Sequence, residues 1–111
     1  MGKTIGETWK ELCAIDAEEI SGLTWRQRRK MGLTRFGVFR AVRQLQGSVE
    51  WDPKAPIRLI AADVAMVLAG HPDHMETWDE VMPTLDWETI LAFIEKILPL
   101  ILMLIELFAF I

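Results

Sequence analysis

The chain has 111 residues, 51% of them apolar and 25% charged, with a formal net charge of −4. That length allows one modest hydrophobic core and excludes a two-domain protein, while the apolar share excludes a disordered chain. A single cysteine, Cys13, excludes an internal disulfide, and no apolar stretch near the N-terminus reads as a secretory signal.

Taken in chain order, the helix starts are marked by capping pairs. A Ser, Thr or Asp at the N-cap accepts from the N3 amide, and Glu or Gln at N3 reaches back. Thr4 with Glu7, Asp16 with Glu19, Thr24 with Gln27, and Thr77 with Glu80 all have this spacing. Asp52-Pro53 and Pro56 offer a further start, since proline is tolerated in a first turn. Gly22, Gly32, Gly47 and Gly70 each follow a helical pattern and read as stops. The predicted helices cover residues 5–14, 17–20, 25–31, 34–46, 56–69, 78–82, and 86 towards the C-terminus. Residues 48–51 alternate in polarity but are too few to found a sheet. In the central helix, Ile57, Ile60, Ala61, Val64, Val67 and Leu68 recur at helical spacing and are the expected core.

The expected fold class is therefore all-α: a small single-domain bundle of five to seven helices with an extended apolar C-terminal helix. Residues 1–96 would form the bundle and residues 97–111 a separate contact segment. Glu106 is that segment's only polar residue, so the helix reads as apolar around its whole circumference. Three things could cover it: a membrane, other copies of the chain, or a different protein. Fifteen helical residues rise roughly 22 Å, short of a hydrocarbon core of roughly 30 Å. Extending the span to 89–111 brings Glu95 and Lys96 inside it, and Pro99 is expected to kink or divide the helix. Burial against protein is the favoured answer, with Leu100, Ile101, Leu104, Ile105, Leu107 and Phe108 presenting the surface.

Charge is divided sharply along the chain. Between residues 24 and 45 stand seven basic residues, Arg26, Arg28, Arg29, Lys30, Arg35, Arg40 and Arg43, and no acidic ones. Met31-Gly32-Leu33-Thr34 would suit the turn of a DNA-binding helix-turn-helix, with Arg35 and Arg40 facing phosphates. Arg28 fits that motif badly, because it stands where close helix approach wants a small residue. The same cations would equally pair with acidic residues at 7–19 or 79–88, or with an acidic partner.

Catalytic chemistry is not legible. His71-Pro72-Asp73-His74 followed by Glu76 hints at a metal cluster, but Pro72 interrupts the helical spacing that two histidines would need. No phosphate-binding loop, dinucleotide fingerprint or nucleophile elbow occurs. The expectation is a protein that is not an enzyme and takes no cofactor and no metal.

Three stretches carry a family resemblance. Gly22-Leu23-Thr24-Trp25-Arg26-Gln27, the apolar helix at 57–69, and Gly70-His71-Pro72-Asp73-His74-Met75-Glu76-Thr77-Trp78-Asp79-Glu80-Val81 together resemble tail assembly chaperones of long-tailed bacteriophages, over roughly residues 22–89. The resemblance implies an all-helical, non-enzymatic protein of virion assembly, working in the host cytoplasm or the virion. It also implies a hydrophobic partner of the tape-measure kind, or self-association. The basic stretch and the apolar end at 97–111 depart from the family pattern.

Overall fold

The computed structural model describes residues 2–109 and contains six helices and no strand among them. Helix α1 (Ile5–Asp16) starts where Thr4 accepts from the Glu7 amide at 3.1 Å. Helix α2 (Trp25–Met31) opens with a reciprocal capping box: the Gln27 amide donates to Thr24 Oγ1, and the Thr24 amide donates to Gln27 Oε1. It ends at Gly32, whose φ of 74° is the left-handed conformation that a side chain would resist. Thr34 then caps helix α3 (Arg35–Gln46). Helix α4 (Ile57–Gly70) follows Pro56, helix α5 (Met75–Val81) is short, and helix α6 (Trp87–Ala109) is the longest.

Several expectations are corrected by packing. Residues 17–20 form a turn rather than a helix, and Asp16 is no N-cap. It is buried at the end of α1, where two arginines claim its carboxylate before Glu19 could use it for a cap. Thr77 is no cap either. Helix α5 begins earlier, at Met75, because Thr77, Trp78 and Val81 must share one inward face. There the Trp78 indole donates to the Met31 carbonyl at 2.9 Å, fastening α5 to the end of α2. Gly70 is the last residue of α4, not the residue beyond it. In α4, Ile60, Ala61, Val64 and Leu68 are core as expected, whereas Val67 is only half-buried against it and Ile57 lies on the rim.

The largest correction concerns the apolar end. Helix α6 runs unbroken through residue 97 and through Pro99, so the apolar segment as far as Ala109 is the second half of a single helix. Residues 110 and 111 of the predicted contact segment lie outside the described residues. Helices α1, α3 and α4 surround α6, and Ile90, Ile94, Ile97, Leu98, Ile101 and Leu104 are the centre of the chain's own core. Short of its last two described residues, only a narrow stripe stays wet: Glu88, Ala92, Lys96, Pro99 and Glu106 are exposed at spacings of three, four or seven residues. Pro99 is harmless on this stripe, because the carbonyl it leaves unpaired belongs to a solvent-facing side of the helix. Lys96 pairs with Glu18 at 2.6 Å, and Arg58 of α4 bridges Glu88 and Glu95. Among the described residues no helix is long and apolar enough to cross a membrane.

Candidate interaction surface

The end of α1 carries a buried ionic knot. Asp16, 1% exposed, accepts from Arg28 Nη2 at 3.2 Å and from Arg35 Nη1 at 2.6 Å. Arg28 Nη1 also donates to the Asp16 and Glu18 carbonyls, both at 3.0 Å, satisfying backbone acceptors at a helix C-terminus. Burial pushes the Arg28 guanidinium below its ordinary range, and Asp16 opposes that shift. Aromatic faces supply further compensation: Arg28 lies 4.8 Å from the Trp25 ring and 4.7 Å from Phe93.

Arg35 leads outward from this knot to the surface. Its guanidinium lies 5.1 Å from the Trp9 ring and 4.6 Å from Phe36, whose rings meet edge-on at 5.9 Å. Trp9, Phe36, Phe39 and Phe108 then converge on a cavity of about 180 Å³ floored by Ile101 and Leu104. A second hollow of about 330 Å³ continues past Phe39 and Phe108 to Arg43, Ile105 and Ala109. Together they make an open aromatic groove between α1, α3 and the last turns of α6. Phe36 is 59% exposed and Phe108 51%. Among the described residues, no acidic side chain lines either part.

This placement divides the expected partner-binding residues. Leu100, Ile101 and Leu104 are buried in the chain's own core, because α1, α3 and α4 already cover them. Ile105 and Leu107 are half-buried, and Phe108 faces outward. The basic residues divide as well. Arg28 is internal and Arg35 half-buried, both held by Asp16, while Arg26, Arg29, Lys30, Arg40 and Arg43 are exposed. The close approach expected in the α2–α3 turn exists, but between other residues. A Cβ on Gly37 would lie 1.9 Å from the Gly32 carbonyl oxygen, and Arg28 is not in that contact.

Sequence reasoning missed Trp9, Phe36 and Phe39. A signal was present in α3: Val38, Ala41, Val42 and Leu45 fill one helical face, which leaves Phe36 outside it and Phe39 at its edge. The histidines form no outward-aimed pair. Their rings stack at 4.6 Å, His71 Nδ1 accepts from the Asp73 amide, and His74 Nδ1 contacts the Leu68 carbonyl at 3.1 Å. A larger open hollow, about 730 Å³, runs along residues 17–25. Its one cation, Arg28, is already committed to Asp16.

No family model matches this chain, and neither do the curated proteins or the solved structures.

Proposed function

We propose that this chain is a non-enzymatic interaction protein that holds an apolar segment of a partner protein in the groove between α1, α3 and the end of α6. The observation that carries this reading is the convergence of Trp9, Phe36, Phe39 and Phe108 on an open cavity with an apolar floor. Elsewhere α6 exposes only the narrow stripe through Glu88, Ala92, Lys96, Pro99 and Glu106, so the aromatic end is where its large apolar side chains meet solvent. Aromatic side chains give large contact area with few rotatable bonds, and they are enriched where binding energy concentrates. The resemblance to tail assembly chaperones gives the reading a concrete form, in which a hydrophobic virion protein is kept soluble until it assembles.

Removing all residues after Lys96 cannot test this, since it deletes core positions Ile97, Leu98, Ile101 and Leu104. The informative variant is Phe36→Ser with Phe108→Ser, which alters the groove and spares the core. A photo-crosslinking residue at position 36 should capture an apolar protein partner in the source cell, and the Phe108→Ser background should lose that product. Equal capture from position 29, on α2 and outside the groove, overturns the reading.

A second reading, nucleic-acid binding, is favoured by five exposed cations that form no ion pair among the described residues. Its test is salt-sensitive duplex binding that Arg40→Glu with Arg43→Glu abolishes. No binding by the parent at low salt ends it.

A further inference from the structure

The aromatic groove has a counterpart elsewhere on the molecule. Between the α3–α4 loop and the outer face of α4 lies a cavity of about 350 Å³, bordered by Trp51, Leu59 and Met66. Leu59 is 58% exposed and Met66 66%, and seven residues apart they share one face of α4 beside Trp51, which makes a patch rather than scattered exposure. The cavity's charged lining residues are Glu50, Asp52 and Asp63, and among the described residues no cation lines it. None of the three carboxylates forms an ion pair among the described residues. The aromatic groove is the converse, with Arg43 in its lining and Arg40 exposed one helical turn from Phe36, neither in an ion pair among the described residues, while Arg35 in the lining is already held by Asp16. The two cavities share no residue.

We infer that the occupant of the aromatic groove is a second copy of this chain, docked head to tail through its Leu59–Met66 face. The inference rests on the groove being a protein-binding surface, and it adds the identity of the partner. Opposite charge on two apolar patches of one molecule favours their mutual contact and disfavours like-with-like pairing, where cations would face cations. Phe36 and Phe108 expose about half or more of their surface, as do Leu59 and Met66, and a thioether against an aromatic ring is a favourable contact. Two different patches make a heterologous contact, and such a contact repeats: each added copy leaves one groove and one α4 face free. The product is an open chain or a closed ring, not a dimer that stops at two.

Sedimentation of the full chain tests this directly. At low salt the average mass should climb past the dimer as concentration rises, and it should fall as salt approaches about 0.5 M. Phe36→Ser with Phe108→Ser blocks one face, and Leu59→Ser with Met66→Ser blocks the other. Each blocked protein alone should remain monomeric, and their mixture should form one-to-one heterodimers and nothing larger. Charge variants guard against a folding artefact: Arg40→Glu with Arg43→Glu, and Glu50→Lys with Asp63→Lys, should each weaken association about tenfold or more. A parent that stays monomeric, or one that stops at a dimer, overturns the inference. So does failure of the two blocked proteins to combine when both are folded by circular dichroism. If the parent is monomeric yet its groove binds a synthetic acidic amphipathic helix, self-docking is wrong and the groove's role stands. If neither binds, both fall.

Discussion

The Asp16 carboxylate and the Arg28 guanidinium form a buried ion pair, 3.2 Å apart, that ties the end of α1 to α2 across the 17–24 loop. Both side chains are at most 3% exposed. Removing one member of such a pair leaves an uncompensated charge in a poor solvent. Asp16→Asn should therefore destabilise the chain by about 3 kcal/mol or more, read from denaturant midpoints. Adding Arg28→Met removes the stranded cation, so the double variant should lose less than the two single losses combined, by at least about 1 kcal/mol. Simple additivity would mean that the pair is energetically independent, contrary to its geometry.

Gly37 and Gly70 make opposite predictions for the same substitution. Alanine is favoured over glycine inside helices by about 0.8–1.0 kcal/mol. At position 37 the new Cβ would stand 1.9 Å from the Gly32 carbonyl oxygen, and backbone cannot yield as a side-chain tip can. Gly37→Ala should destabilise by about 2–3 kcal/mol despite its better propensity. Gly70 has open space around it and no positive φ, so Gly70→Ala should stabilise by about 0.5–1 kcal/mol. Thermal melts of the two variants, shifted in opposite directions, check both statements.

Acid sensitivity should trace in part to His74. Burial lowers its pKa below the ordinary 6.5, with Arg40 and His71 acting the same way, while the Leu68 carbonyl and Asp73 oppose them. The folded chain then binds this proton less readily than the unfolded chain. Stability is complete above 6.5 and declines as pH falls from there towards the lowered folded value. His74→Gln keeps a donor for the Leu68 carbonyl without the titration. Urea midpoints between about pH 7.5 and about pH 5.5 should decline less in that variant than in the parent. Parallel curves would remove His74 from the account of acid sensitivity.

Local signals in the sequence located most helices, and long-range pairing decided where they failed. Thr4 and Thr24 cap as their spacing implies, because a cap is settled within four residues. Asp16 has the same local signature, yet Arg28 and Arg35, 12 and 19 residues on, take its carboxylate. Thr77 likewise yields to the contact of Trp78 with Met31, 47 residues away. In α6, periodicity was hidden by excess. With apolar residues on nearly every side, the thin stripe of Lys96, Pro99 and Glu106 reads as interruption rather than as a solvent face. The candidate groove was legible at Ile105, Phe108, Arg35 and Arg43 and, as its floor, at Ile101 and Leu104, and the core face of α3 leaves Phe36 outside it, but Trp9 on α1 joins them only through the fold.

Substitutions along the end of α6 should separate its enclosed side from its open one. Leu104 is 3% exposed and Phe108 51%. Leu104→Ala should destabilise by about 2–5 kcal/mol, as core truncations do. Phe108→Ala should change stability by less than about 1 kcal/mol while weakening partner binding. Equal effects on stability would contradict the division between core and groove.

Amide hydrogen exchange along α6 in dilute, monomeric protein reaches the root of these arguments. Amides from Ile90 through Leu104 should exchange only through global unfolding, and those after Ile105 should exchange far faster, as expected of a helix that one chain encloses except at its tip. Uniformly fast exchange along the whole helix, slowed only when copies associate or lipid is added, would show that the apolar end is not this chain's own core.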